Sequence, residues 1–95
     1  FFFWIAYNLG VVYKKVGEIQ KAIDILNIVL ESGEYKGWTE LELAWCYALI
    51  DEKEKAQEYL KEADSYIGGE ILNSPELKKD VETIKQLISM TTYVS

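Results

Sequence analysis

Sliding the sequence by 34 residues superimposes its first half on its second half, and this internal repeat limits the fold more than any other feature. Large residues fall on large residues and small residues on small ones. The matching pairs are Leu9 with Leu43, Tyr13 with Tyr47, Ala22 with Ala56, Leu26 with Leu60, Gly10 with Ala44, Val29 with Ala63, and Trp4 with Trp38. Since one offset preserves size at so many positions, the chain is predicted to contain two copies of one structural unit.

Each half has apolar residues at the spacing of an α-helix, with a break that divides the half into two helices. Gly17 marks the first break, because glycine tolerates the backbone angles of a tight turn. Asp51 marks the second break, where its side chain can cap the helix that follows. Gly68-Gly69 is predicted to end the second half. The expected helices lie near 2–15, 18–31, 37–50, 52–66 and 75–90.

The last predicted helix has a clear start and an apolar face of its own. Ser74 can accept a hydrogen bond from a free backbone amide, and Pro75 fits the first helical turn, where its missing N–H costs nothing. A third repeat would place Lys78 at the small position of the first two, so we expect this helix to cover the end of the stack. Its apolar face consists of Leu77, Val81, Ile84 and Ile88.

The two halves share a motif with a known family. They read Ala6-x-x-Leu9-Gly10-x-x-Tyr13 with Ala22-x-x-x-Leu26, then Glu40-x-x-Leu43-Ala44-x-x-Tyr47 with Ala56-x-x-x-Leu60. This pattern resembles the tetratricopeptide repeat over residues 3 to about 66, although the family's usual tryptophan is replaced by Ala6 and Glu40. The family's usual proline between repeats is replaced by Glu34 and Gly68. The resemblance implies an all-α fold in which antiparallel helix-turn-helix pairs stack as a short right-handed α-solenoid of about five helices.

The 95 residues are expected to form a single domain. Repeat 1 spans about 3–36, repeat 2 about 37–70, and the capping helix about 75–90. Because the chain begins with Phe1 rather than methionine, we expect it to be a fragment of a longer protein. Residues 1–13 carry no charge but are fewer than the roughly 20 that a membrane-spanning helix needs, so a buried helix is expected there.

The charge balance argues against phosphate-bearing partners. Lysine and arginine total 10 against 16 for aspartate and glutamate, and both halves of the sequence are acidic. A basic stripe that could displace counterions is absent, so neither nucleic acid nor an anionic membrane is an expected partner. Cys46 is the only cysteine, which excludes an intramolecular disulfide and favours a reducing, cytoplasmic location.

The sequence lacks the ingredients of a catalytic or metal site. Without histidine there is no imidazole base, no Ser-His or Cys-His pair and no histidine metal ligand. Most carboxylates lie among lysines in runs such as 51–55, which favours a solvated helix face. Cys46 lies in an apolar helix, where a thiol packs as a small hydrophobic group. We therefore expect no enzyme, no cofactor and no metal site.

The tetratricopeptide resemblance also implies where a partner binds. In that family the first helix of each pair lines the concave face of the stack, which usually holds an extended or helical peptide. The residues implied for this face are Trp4, Tyr7, Asn8, Val11, Trp38, Leu41, Glu42 and Trp45. All three tryptophans belong to this set, and a partly exposed tryptophan can anchor a partner. The basic residues that grip terminal carboxylates in some such domains are missing, so a protein or peptide partner with apolar anchors is expected.

Two other roles for this aromatic surface remain open. It can pack within the same protein, against an upstream repeat or against the chain's own last helix. Alternatively, the N-terminal end can contact a second copy, because repeat stacks need a capped terminus for solubility. The residues of that oligomer contact would be Phe1, Phe2, Phe3 and Trp4. Partner binding in an aromatic groove is the leading hypothesis, and a structural or self-association role is the alternative.

Overall fold

The computed structural model describes residues 2–90, which form five α-helices without a β-strand in that range. The helices are α1 (Phe2–Lys15), α2 (Ile19–Ser32), α3 (Lys36–Leu49), α4 (Lys53–Asn73) and α5 (Pro75–Ser89). Each helix packs against the next along the chain, and α3 also contacts α1 and α5. The predicted all-α fold of stacked antiparallel helix pairs is confirmed.

The turns inside the two helix pairs have the same backbone geometry. Gly17 and Asp51 both lie in the left-handed region, with φ of 89° and 63°. In each turn the N–H of the following residue donates to a tyrosine carbonyl five positions back, that of Tyr13 at 2.9 Å or Tyr47 at 2.8 Å. Such a bond across a left-handed residue is the Schellman end of a helix. The repeat in the sequence is therefore also a repeat of backbone structure.

Asp51 does not cap the helix that follows, so that prediction is wrong. Its left-handed conformation places it in the turn after α3. The residue before α4 is Glu52, and its side chain makes no capping hydrogen bond. Aspartate enters the left-handed region at lower cost than most residues other than glycine, which explains how it replaces Gly17 in the second repeat.

The first, regular part of α4 ends at Ile67, beside the predicted end at Gly68-Gly69, but the chain then resumes a helix through both glycines to Asn73, which was not predicted. The helix bends at Ile67, whose φ and ψ are −128° and 27°. Ile67 and Ile71, on either side of the glycines, are buried. Burying one such side chain contributes about 1.5–3 kcal/mol, which outweighs the cost of about 1 kcal/mol for each glycine in a helix.

The start of α5 is as predicted. The hydroxyl oxygen of Ser74 accepts a hydrogen bond from the N–H of Leu77 at 3.2 Å, and Pro75 is the first helical residue. The cap separates α4 from α5 without a loop, since Ser74 is the single residue between Asn73 and Pro75. This tight connection folds α5 back so that it packs against both α3 and α4.

Two apolar clusters form the core, and α3 contributes to both. The first contains Ala22, Ile23 and Leu26 of α2 with Leu43 and Cys46 of α3. The second joins residues of α3, α4 and α5, namely Leu41, Ala44, Ala48, Ala56, Ala63, Ile84 and Ile88. A small residue allows the closest approach of α1 to α2, since a Cβ added at Gly10 would lie 2.7 Å from the Leu26 side chain.

Helix α1 is buried along one side only, which corrects the expectation of a buried helix over residues 1–13. Ala6 and Gly10 are buried on the inner side. The outer side leaves large apolar residues exposed, including Ile5 and Val12. Within residues 2–90, none of the helices is both long enough and apolar enough to cross a membrane.

Candidate functional site

The aromatic cleft is an opening of about 390 Å³ between the start of α1 and the start of α3. Its lining residues are Trp4, Tyr7, Asn8, Tyr35 and Trp38. Helical spacing places Trp4, Tyr7 and Asn8 on one face of α1, and the Asn8 amide donates to the Trp4 carbonyl oxygen at 2.8 Å. Trp4 is 54% exposed and Trp38 is half-buried, so both indoles are available to a bound molecule.

Two tyrosines form the wall between the tryptophans. The rings of Tyr7 and Tyr35 lie 5.9 Å apart between centroids and are tilted by 37°. Tyr35 takes up this position through a left-handed backbone, with φ of 52°, in the residue before α3. Burial raises the pKa of Tyr7 well above its usual value, and the charges of Glu42 and Asp80 add to the effect. The Tyr7 hydroxyl therefore stays protonated and can donate a hydrogen bond.

Trp38 also borders a second cleft of about 560 Å³, which lies against the end of α4 and the start of α5. Its other lining residues are Gly69, Glu70, Asn73, Ser74 and Leu77. Because Trp38 lines both openings, it connects them into one surface that runs from α1 across α3 to α5. The second cleft exists because α4 continues past its bend at Ile67, which the sequence pattern did not predict.

The remaining residues predicted for the concave face lie deeper in the structure. Leu41 is buried in the second core cluster, and Trp45 packs against that cluster, to which α5 contributes Ile84 and Ile88. Val11 is half-buried on α1. The part of the predicted groove at Leu41 and Trp45 is thus covered by the chain's own last helix.

Glu42 is buried in an ion pair that closes the same region to a ligand. The Lys14 ammonium lies 2.7 Å from the Glu42 carboxylate and 3.5 Å from the centroid of the Trp45 ring. Lys14 and Glu42 are 7% and 9% exposed. Lys14 joins α1 to α3 at this point, and the charge of Glu42 is matched by it. Neither Lys14 nor Tyr35 was among the predicted site residues. The sequence contained one indication for Lys14, since it is the first charged residue after an uncharged stretch.

The chemistry of the site is that of an apolar contact surface. Among residues 2–90, no group of three or more histidine, cysteine, aspartate or glutamate side chains could hold a metal ion. Burial raises the pKa of the Cys46 thiol to about 12, with a further increase from Glu42 that Lys14 opposes. A thiol in this environment stays protonated and is a poor nucleophile. The open residues offer indole and phenol rings with a few hydrogen-bonding groups.

No known protein family, no curated protein and no solved structure matches this chain.

Proposed function

We propose that this chain is a tetratricopeptide-type interaction module that binds a peptide or helix of a partner protein in the aromatic cleft. The proposal is carried by one observation, the open pair of Trp4 and Trp38 across a cleft of about 390 Å³. A tryptophan buries roughly 150–250 Å² on binding, and tryptophans are frequent among the residues that dominate interface energetics. Apolar side chains of the partner would fill the cleft between the two indoles.

Trp38 is the central residue of this proposal, because it borders both the aromatic cleft and the second cleft. A bound segment can extend from Tyr7 past Trp38 towards Leu77. The turn geometry shared by Gly17 and Asp51 supports the internal repeat on which the tetratricopeptide resemblance depends. The module has no catalytic role in this proposal, and its single buried thiol suits a reducing cytoplasm.

A selection from a phage-displayed library of random peptides, followed by calorimetric titration, tests this function. We expect enriched peptides to carry aromatic or large aliphatic residues, and Trp38→Ala to weaken their binding by about tenfold or more. Ile28→Ala is the matched control, since Ile28 is a 50% exposed apolar residue of α2 outside both clefts. Failure to enrich any peptide, or equal affinity of wild type and Trp38→Ala, would contradict the proposal.

The outer side of α1 favours a second function, self-association with another copy of the chain. Its exposed apolar residues lie at alternating spacings of three and four, the pattern of a helix-packing seam. They are Phe2, Ile5, Leu9 and Val12 of α1 and Val16 directly after it, each at least 39% exposed. In the second repeat the residues equivalent to Ile5, Leu9 and Val12 are Thr39, Leu43 and Cys46, which are fully buried, whereas Ile50, equivalent to Val16, is 42% exposed. This contact differs from the predicted oligomer contact, which consisted of Phe1, Phe2, Phe3 and Trp4. Phe1 lies outside the described residues.

In the second repeat, α2 covers the face of α3 that is equivalent to the exposed face of α1. This packing indicates how a second copy would dock. Leu43 and Cys46 pack against a row of α2 residues, Ile19, Ile23, Leu26 and Leu30. The row Ile5, Leu9, Val12 and Val16 has the same four-three-four spacing. A second α1 can therefore cover the first in a two-fold symmetric pair.

Sedimentation equilibrium distinguishes this self-association from a monomer. We expect a concentration-dependent dimer for the wild type and a monomer for Leu9→Glu. Ile28→Glu, with the same change on exposed α2 surface, should leave the dimer intact. A wild type that is monomeric at millimolar concentration would exclude the self-association role, and peptide binding at Trp38 would be unaffected by that result.

A further inference from the structure

A third cleft, of about 770 Å³, lies between α4 and α5 and shares no lining residue with the two clefts at Trp38. Its floor is apolar. Leu60 comes from the first part of α4, Ile71 and Leu72 from the part after the bend, and Val81 from α5. Leu72 is 71% exposed, so the apolar floor reaches the surface.

The rim of this α4–α5 cleft is basic although the protein is acidic. Four of the chain's 10 basic residues border it, Lys61, Lys78, Lys79 and Lys85, against two carboxylates, Asp64 and Glu82. All four lysines are exposed, and among the described residues none has a carboxylate oxygen within 4.0 Å of its ammonium nitrogen. The cleft thus has a local charge opposite in sign to the net charge of −6.

The α5 side of this cleft is equivalent, by the 34-residue repeat, to the surface of the first helix in each earlier pair. In those pairs, that surface packs against the second helix. Lys78 and Val81 lie 34 residues after Ala44 and Tyr47. Ala44 belongs to the core cluster that contains Ala56 of α4, and Gly10 at the same position in the first pair leaves no room for a Cβ beside Leu26. A long, charged side chain at this position prevents such close apolar packing. An occupant must instead present groups that pair with ammonium ions.

We propose that the α4–α5 cleft docks an acidic amphipathic helix of a partner protein. Its apolar side chains contact Leu60, Leu72 and Val81, and its carboxylates pair with Lys78 and Lys85. The α5 part of the lining runs from Pro75 to Lys85, about three helical turns or ~15 Å, which sets the length of the docked segment. Amphipathic helices bind such grooves through one apolar face, and complementary charge selects the partner. This interaction is independent of peptide binding at Trp38.

Fluorescence anisotropy with a labelled model peptide tests the proposal on the full chain. The probe is a helix-forming peptide of about four turns with leucines on one face and glutamates on the other. The comparison peptide has every glutamate replaced by glutamine. We expect the glutamate peptide to bind about tenfold more tightly at low salt, with the difference decreasing as salt increases, since each exposed ion pair changes affinity by up to about fivefold.

Two double variants separate the cleft from the overall charge of the protein. Lys78→Glu with Lys85→Glu should weaken binding of the glutamate peptide by about tenfold or more. Lys15→Glu with Lys21→Glu makes the same charge change on α1 and α2 and should leave binding nearly unchanged. Circular dichroism checks that both variants fold.

Three results would overturn the proposal. Equal affinity for the glutamate and glutamine peptides would show that charge does not select the occupant. An equal loss in both double variants would show that only net charge matters. If the wild type forms a dimer and the Lys78→Glu, Lys85→Glu variant does not, the occupant of the cleft would be an acidic segment of a second copy. Trp38→Ala, by contrast, should leave binding of the glutamate peptide unchanged.

Discussion

Gly17 and Asp51, separated by 34 residues, have the same role at the end of the first helix of their pairs. Both have positive φ, and in both turns the next N–H returns to a tyrosine carbonyl. Asp51 carries a side chain in a backbone region where most residues are strained. The two turns thus solve one geometric problem with different residues.

Substitutions in these turns should have opposite effects on stability. Asp51→Gly is expected to raise the free energy of unfolding by about 0.5–1 kcal/mol, because glycine adopts positive φ without a Cβ clash. Gly17→Ala should lower it by about 1 kcal/mol for the same reason. Urea denaturation followed by far-UV circular dichroism measures both. A loss of stability in Asp51→Gly would contradict the assigned backbone conformation.

Breaking the buried ion pair between Lys14 and Glu42 should destabilise the protein strongly. Removing one partner leaves an unpaired buried charge, so Glu42→Met and Lys14→Met are each expected to lower the free energy of unfolding by about 3 kcal/mol. Replacing both residues together, Lys14→Met with Glu42→Met, should recover most of that loss, because no charge then remains buried. Urea denaturation of the single and double variants measures the coupling. Additive losses would show that the two residues do not interact.

Because α1 and α2 approach each other closely at Gly10, even a methyl side chain at this position should destabilise the protein. Gly10→Ala should lower the free energy of unfolding by about 1–3 kcal/mol, since its Cβ would lie 2.7 Å from Leu26. Gly69→Ala is the control, because a Cβ there meets nothing within 4 Å. That variant should be more stable by about 0.5–1 kcal/mol, as alanine is the better helix former. Thermal denaturation distinguishes the two outcomes.

Glu40 should make the protein less stable as the pH rises. The side chain is buried, and its Oε1 atom has no hydrogen-bond partner among the described residues. Burial raises its pKa above 4.5, repulsion from Glu62 adds to the increase, and Lys36 opposes it. The folded chain therefore binds this proton more tightly than the unfolded chain. The stabilisation by the protonated form is complete below pH 4.5 and is lost as the pH rises through the raised pKa.

The substitution Glu40→Gln isolates this effect. At neutral pH the variant should be more stable than the wild type by on the order of 1 kcal/mol, because the cost of burying the charge is removed and only the long pairing with Lys36, at 3.7 Å, is lost. The difference should shrink as the pH falls towards 4.5. Urea denaturation across this range measures it, with exposed Glu54→Gln as the control. A wild type that gains stability over Glu40→Gln as the pH rises would reverse the expected sign.

Cys46 should react only when the protein opens. It is fully buried and its pKa is raised to about 12, so thiolate is scarce at ordinary pH. Alkylation by iodoacetamide in native buffer is expected to be at least about a hundredfold slower than in denaturing urea. Mass spectrometry of timed samples gives both rates. Similar rates in the two conditions would place Cys46 at the surface.

The sequence predicted the helices where local pattern and packing agree. The Ser74-Pro75 start of α5 was correct because a cap involves only neighbouring residues. The break beside Gly68 was also predicted, but the helical segment after it was missed, because glycine propensity was weighed without the burial of Ile67 and Ile71. Of the predicted site residues, Trp4 and Trp38 border an open cleft, whereas Leu41 is in the core.

The sequence alone determined the number of helices and their arrangement in pairs, because helical periodicity and the 34-residue repeat are properties of the chain's own spacing. The tertiary structure decided which aromatic residues stay open. Trp45 and Trp38 lie on the same helix, but Trp45 is covered by Lys14 and packs against the cluster that α5 completes. Trp38 instead borders two clefts. These contacts join residues that are far apart in the chain, such as Lys14 and Glu42, which are 28 residues apart. Local spacing in the sequence therefore does not predict them.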